Sequence, residues 1–282
     1  MGENIKAIRA RIKSVDSTRH ITKAMELVAA SKIKKASARM EKSRFYKDIM
    51  LDAFADLSSE NISYAKPRSR SLPALFIIVA GDRGLAGGYN NNIFRSAMTM
   101  MSPGDLVIPI GKRAVDYYSH REGLTVVTDE FISVEDFESA GASKAAYIAK
   151  EMYDKGEIKE VNLISTRFES MLSSHPDITY LLPLEMLAKK RGAVKEKTAA
   201  VAEYEPSPEE VLGALIPEYI AGVLYTSVVE SYASELASRR SAMDTATKNA
   251  DEMLDTLSLK YNRARQGAIT QEITEIVAGA NA

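Results

Sequence analysis

The stretch IKAIRARIKSVDSTRHITKAMELVAASK, residues 5–32, decides the architecture, because it holds no glycine or proline and its apolar residues recur at helical intervals. Ile5, Ile8, Ile12 and Val15 step by 3, 4 and 3, the spacing of a seam by which one helix packs on another. Ile21, Met25 and Val28 continue in a shifted phase, which predicts a stutter that alters the local supercoil without ending the helix. Neither breaker residue occurs from Glu3 to Leu57, and most of the chain's glycines and prolines lie between residues 58 and 217. Beyond Pro217 glycine is sparse. There Ala246, Ala250, Met253 and Leu257 step by 4, 3 and 4, followed by Ile269, Ile273 and Ile276, so a second long helix is expected. SPEE at 207–210 offers a serine cap, a proline in the first turn and two acids near the positive helix end, with Pro217 expected at a kink or junction.

Length then limits what these helices can be. At 1.5 Å rise per residue they run to about 80 and about 90 Å, whereas a compact globule of this chain length has a radius of gyration of about 19 Å. They are therefore expected to protrude as an antiparallel pair, each hiding the other's seam, in a rod that carries a lump. The segments expected are an N-terminal shaft helix over 1–60, a central α/β domain over 65–205 and a C-terminal shaft helix over 207–282.

In the central segment ALFIIVA (74–80), DLVIPIG (105–111), LTVVTDE (124–130) and EVNLISTRF (160–168) read as strands. Helical stretches near 89–101, 112–121 and 135–153 alternate with them, which predicts a mainly parallel sheet faced by helices. DITYLLPLE (177–185) adds an edge strand, and AKKRGAVKEKTAA (188–200) reads as a polar loop.

Composition narrows function. Of 282 residues 45% are apolar and 27% charged, as in folded soluble proteins. With no cysteine and three scattered histidines, His20, His120 and His175, thiol chemistry is excluded and zinc spacings are disfavoured. The start MGENIK has no apolar signal core, no window is expected to span a membrane, and Lys6 stands where a myristoylation pattern wants Ser or Thr. Residues 1–50 hold 13 Lys and Arg against 5 Asp and Glu, a surplus of +8 balanced by −9 elsewhere in a chain of net −1. The basic run SKIKKASARMEKSR (31–44) lacks the interleaved aromatics of a nucleic-acid surface, so an acidic protein partner suits it better.

FIIVAGDRGLAGGYNNNIF (76–94) has the order strand, glycines, helix that phosphate loops use. A Walker loop would end in Gly-Lys-Ser/Thr, but here Gly88 is followed by Tyr89 and Asn90. Gly81, Gly84, Gly87 and Gly88 miss the dinucleotide spacing as well, although Asp105 lies near the distance of a ribose-binding acid. A structural turn is the better reading. Asp82 and Asp129 at strand ends lack a histidine motif or paired carboxylate, and so read as turn carboxylates. Met25, Met40, Met50, Met243 and Met253 read as packing residues. A basic coiled-coil nucleic-acid binder and an α/β nucleotide-binding enzyme stand as alternatives.

HITKAMELVAASKIKKA (20–36), DRGLAGGYN (82–90), SRRSAMDTATKNA (238–250) and YNRARQGAITQEITEIVAGA (261–280) together resemble the γ subunit of F-type ATP synthase. The resemblance implies a noncatalytic rotor: an α/β fold with a long antiparallel coiled coil as central shaft, beside a Rossmann-like domain that binds no nucleotide. It implies no cofactor, metal or catalytic residue in this chain, because catalysis belongs to the β subunits of an α3β3 head; ε and the membrane c-ring are the further partners. Lys23, Met25 and Glu26 are implied to meet an acidic catch loop of β, with Arg239 and Gln266 at corresponding positions on the other helix. Asp82, Arg83, Gly84 and Gly87 are implied to face the lower ends of the β subunits. Gly81 and Ala86 depart from the family's common Ser or Thr and occasional Cys. The clean start without a transit peptide points to a bacterial protein, peripheral on the cytoplasmic face of the plasma membrane.

Overall fold

The computed structural model describes residues 5–57, 63–69, 71–171, 173–192, 205 and 207–280. Helix α1 (Ile5–Asp56) leads into β1 (Ala74–Val79), α2 (Tyr89–Met98), β2 (Leu106–Ile110), α3 (Lys112–Tyr118), β3 (Thr125–Val126) and α4 (Ser139–Asp154). Then come β4 (Glu160–Phe168), β5 (Ser174–Leu182), α5 (Leu184–Arg191) and α6 (Pro208–Ala280). Long terminal helices thus flank a central mixed sheet. Two compact units result: Met1–Ala30 with Arg239–Ala282, and Ser31–Ser238.

In the first unit the two helices run antiparallel. The Thr22 and Thr247 hydroxyls lie 2.8 Å apart, and Arg19 reaches Asp251 at 3.4 Å, so one number rises as the other falls. The inward positions of α1 are Ile8, Ile12, Val15, Arg19, Thr22, Glu26 and Ala29, an unbroken alternation of fours and threes. The expected stutter is therefore absent. The error came from following apolar residues: Thr22 and Ala29 are buried, whereas Ile21 and Val28 are 61% and 57% exposed. On α6 the seam runs through Met243, Ala250, Leu254 and Leu257, and Met253, expected inside, is turned outward. From Arg265 to Gly279 every residue is exposed, including Ile269, Ile273 and Ile276.

The second unit is built on a five-stranded sheet of order β3-β2-β1-β4-β5. β1 pairs in parallel with β2 and β4, β2 with β3, and only β5 runs antiparallel at its edge. All six residues of β1 are buried, which is why it reads as a continuous apolar run. Leu75, Ile77 and Val79 join the layer formed by α4, the end of α1 and α6; Phe76 and Ile78 join the layer of α2 and α3. Ala142, Ala145, Ala146 and Ala149 give α4 a small-residue face that lies close on the sheet.

Within this unit α6 is a core helix. From Tyr219 to Ala237 nearly every residue is buried; Tyr219 stacks on Phe54 with ring centroids 4.1 Å apart. Where β4 outruns β1, α6 stands in for the missing strand. Ser231 Oγ accepts from Thr166 N at 3.0 Å and a Glu230 oxygen from Phe168 N at 3.1 Å. Burial on all sides also explains a window of mean hydropathy 1.5 in α6, long enough to cross a membrane, of which 61% is buried in the protein. Such a window was not expected from the sequence.

Local signals fared unevenly. Ser207 Oγ accepts from Glu210 N at 3.3 Å, the cap that SPEE promised, and α6 continues without a break through Pro217. The strand read over 124–130 pairs only at Thr125–Val126, and the helix read from 135 starts at Ser139 because Asp82 holds the preceding turn. Residues 188–191 of the supposed polar loop belong to α5, which Gly192 ends in the left-handed conformation at φ 67. The rest of that loop lies outside the described residues, as do the junction at 58–62 and the last two residues.

Candidate functional site

The glycine-rich turn is built by hydrogen bonds that leave its backbone occupied. Beyond β1, Ala80 N still donates to Ile110 O at 3.0 Å, and Gly81 O accepts from Arg113 N at 3.0 Å. Asn90, on the first turn of α2, then closes the loop with both ends of its amide. Its Oδ1 accepts from Gly81 N at 2.8 Å and its Nδ2 donates to Arg83 O at 3.3 Å. From α6, the Ser238 hydroxyl donates to Ala86 O at 2.7 Å, and the Tyr89 hydroxyl donates to Ser231 O at 2.9 Å.

Asp82 is the hub of the neighbouring loop. Its carboxylate accepts from Val134 N at 2.8 Å, Glu135 N at 3.2 Å and Lys112 N at 3.4 Å, joining the end of β1 to the start of α3 and the Ser133–Asp136 turn. Lys32 of α1 holds Glu135 in an ion pair, and this contact keeps the Glu135 carboxyl below the usual range against an opposing effect of burial. Asp105 also proves structural: its two oxygens accept from Ala74 N at 2.8 Å and Ser102 N at 2.7 Å. Asp129 is exposed.

This geometry answers the phosphate question. A phosphate loop offers free backbone N–H groups in a positive field. Here Gly81 N is taken by Asn90, and the carboxylate of Glu235 lies under Gly81. Beside the turn is a cavity of about 330 Å³ bounded by Gly84, Leu85, Phe94, Arg113 and Tyr117, with Asp116 offsetting the one arginine. No group of three histidines and carboxylates placed to hold a metal occurs among the described residues.

The turn presents instead a surface. Leu85, at its tip, is 64% exposed and has φ 62, a left-handed conformation uncommon for a branched side chain. The sequence reading passed over it; the signal available was a lone large apolar residue among glycines. Gly87 also has positive φ, at 57, and Arg83 is exposed. Asp82, Arg83, Gly84 and Gly87 thus sit together on one loop of the second unit.

The remaining expected positions lie in the first unit. Lys23 is exposed and pairs with Glu26 at 2.9 Å, while Met25 and Glu26 are half-buried. Asp244 on α6 is held below the ordinary carboxylate range by its bond from Lys248, with the charges of Lys23 and Arg240 adding to the effect. Arg239 is half-buried and Gln266 exposed on α6. Beside Met25, the exposed face of α1 carries Ile21, Leu27 and Val28. Met40 and Met243 pack in cores as expected.

A family model described as ATP synthase matches residues 4–282. ATP synthase gamma chains from Ruminiclostridium cellulolyticum and Ruminococcus albus are 40% and 42% identical to this chain; the alignments cover 100% and 97% of it and 99% and 96% of theirs. The chain belongs to the ATP synthase gamma family. Its fold matches a chain in the mitochondrial ATP synthase of Euglena gracilis, an OSCP/F1/c-ring structure, with TM-score 0.70 at 17% identity, covering 98% of this chain and 93% of that one. As a gamma family member it is a structural part of a membrane-associated ATP synthase complex. This chain therefore keeps the strand–glycine–helix order of a nucleotide site while filling the loop from within.

Proposed function

We propose that this chain is a noncatalytic shaft that transmits torque between an ion-driven c-ring and the catalytic α3β3 head. The α/β domain binds ε and the c-ring, and the complex sits on the cytoplasmic face of a bacterial plasma membrane. The observation that carries this reading is the inversion on α1: Thr22, Glu26 and Ala29 face the partner helix while Ile21, Leu27 and Val28 face out. Apolar residues left outside a coiled-coil seam suit a surface that slides against other subunits. Lys23, Met25, Glu26, Arg239 and Gln266 meet β from the coiled coil, and Asp82, Arg83, Gly84 and Gly87 meet it from the glycine turn.

Sterics carry most of the torque in this scheme, because solvated ion pairs contribute only about 0–1 kcal/mol each. The test is to coexpress α and β subunits with and without the chain and to follow native mass and ATP turnover. One copy per three αβ pairs with strongly stimulated, sustained turnover is expected. An αβ assembly that forms and turns over identically without the chain overturns the proposal.

A further inference from the structure

The two edges of the sheet differ in what they offer another strand. β3 is two residues long, too short to template a neighbour. β5 is nine residues long and, among the described residues, no strand lies beyond it. Which of its backbone groups face outward follows from β4. Thr166 N and Phe168 N donate to Ser231 and Glu230 of α6, so both point away from β5. The residues opposite them, Pro176 and Ser174, therefore sit in non-hydrogen-bonded pairs and turn their own backbone groups to the open side. Strand alternation extends this to Ile178, opposite Ile164, and to Tyr180, opposite Asn162.

An incoming strand needs the donors and acceptors of these four residues, and at the two middle positions it cannot have them. Pro176 carries no N–H to offer. The Ile178 carbonyl already accepts from Lys190 Nζ, which Asp177 holds at 2.8 Å. Ser174 and Tyr180 remain, about 20 Å apart along the strand, and isolated bonds at that spacing do not hold a ladder. Otherwise the edge is suited to pairing. ITYLL (178–182) is an uncharged run of β-branched, aromatic and leucine residues. The partner that matches such a run best is the same run from a second copy, because identical segments lay like side chains beside one another on each face.

We propose that the free edge of β5 is a pairing surface for the same strand of a second copy, and that Pro176 and Lys190 hold it shut. The inference concerns the chain by itself and stands whether or not the chain acts as a shaft. The full-length parent, Pro176→Thr, Lys190→Met and the double variant are compared by sedimentation velocity over a range of concentrations and by amide hydrogen exchange. Lys189→Met is the control, since it removes a charge from the same helix whose partner is Glu185 rather than β5. Parent and control are expected to stay monomeric. The double variant is expected to climb in mass with concentration towards a dimer, with exchange over 174–180 slowed about tenfold or more on association. The single variants are expected to associate more weakly, and they carry the test if the double variant unfolds. Variants that stay monomeric, association that leaves exchange over 174–180 unchanged, equal association of Lys189→Met, or a parent that itself pairs through β5 overturns the proposal.

Discussion

The Glu235 carboxylate fills the space in which a side chain at Gly81 would begin: a Cβ on Gly81 would lie 2.6 Å from Glu235 Cδ. Glu235 is 2% exposed, so it has little freedom to retreat. Gly81→Ala is therefore expected to destabilise the chain by about 1–3 kcal/mol, the usual cost of overpacking. In a double-mutant cycle with Glu235→Ala the two costs add to less than their sum by about 1 kcal/mol or more. Urea unfolding of the four chains measures this, and strict additivity removes the steric account.

Asp82 separates a folding role from a docking role. Its carboxylate serves the Val134 and Glu135 amides, so Asp82→Ala is expected to lower the stability of the isolated chain by about 1–3 kcal/mol through unsatisfied donors. A residue that acted only by touching β would leave the isolated chain's melting temperature unchanged. Thermal unfolding of the free chain distinguishes the two.

Glu135 gives the stability a defined dependence on acid. Its pKa in the folded chain is depressed from 4.5, mainly by the bond from Lys32, helped by Tyr232 and Arg83 and opposed by burial. A depressed carboxyl stabilises the fold above its unfolded pKa, and that contribution disappears as pH falls below 4.5 through the folded value. With its side chain 40% exposed, solvent screening limits the contribution to about 0–1 kcal/mol. The stability difference between the parent chain and Glu135→Gln is expected to be greatest at neutral pH and to vanish in strong acid, as pH-resolved urea titrations will read.

The outward apolar face of α1 carries a prediction that isolated-chain stability cannot mimic. Ile21→Ser, Leu27→Ser and Val28→Ser are expected to change the free chain's stability by no more than about 0.5 kcal/mol each, as surface substitutions do. In the assembled complex the same changes lower stimulated ATP turnover. Arg83→Ala combined with Gln266→Ala is likewise expected to impair coupling, measured as ions pumped per ATP hydrolysed. Unchanged turnover and coupling in these variants remove the contact assignment.

The sequence made the long helices legible because their lack of glycine and proline is a property of local chemistry, which neighbours do not alter. Seam phase was less legible. Ile21 and Val28 looked like core, and Thr22 looked like surface, because the apolar character of a residue does not say whether it points at the partner helix or outward. The parallel strands of the sheet could be read from their apolar runs, whereas β3 was overcalled since two bridging residues leave little pattern. For the glycine turn, spacing alone argued against a nucleotide loop. What fills it, the amide of Asn90 and the carboxylate of Glu235, was invisible, since Glu235 comes from a helix more than a hundred residues away.

The burial of Tyr219–Ala237 in the core has a consequence for biosynthesis. Phe54 near the end of α1 stacks on Tyr219, so the N-terminal helix completes its packing only after some 160 further residues have left the ribosome. At about 5–20 residues per second that is a wait of roughly ten to thirty seconds. Throughout it the seam of α1 and one face of the sheet lack the helix that covers them. Nascent chains arrested before Tyr219 should therefore be a holding point for chaperones, and the last helix made is the one that lets the first one fold.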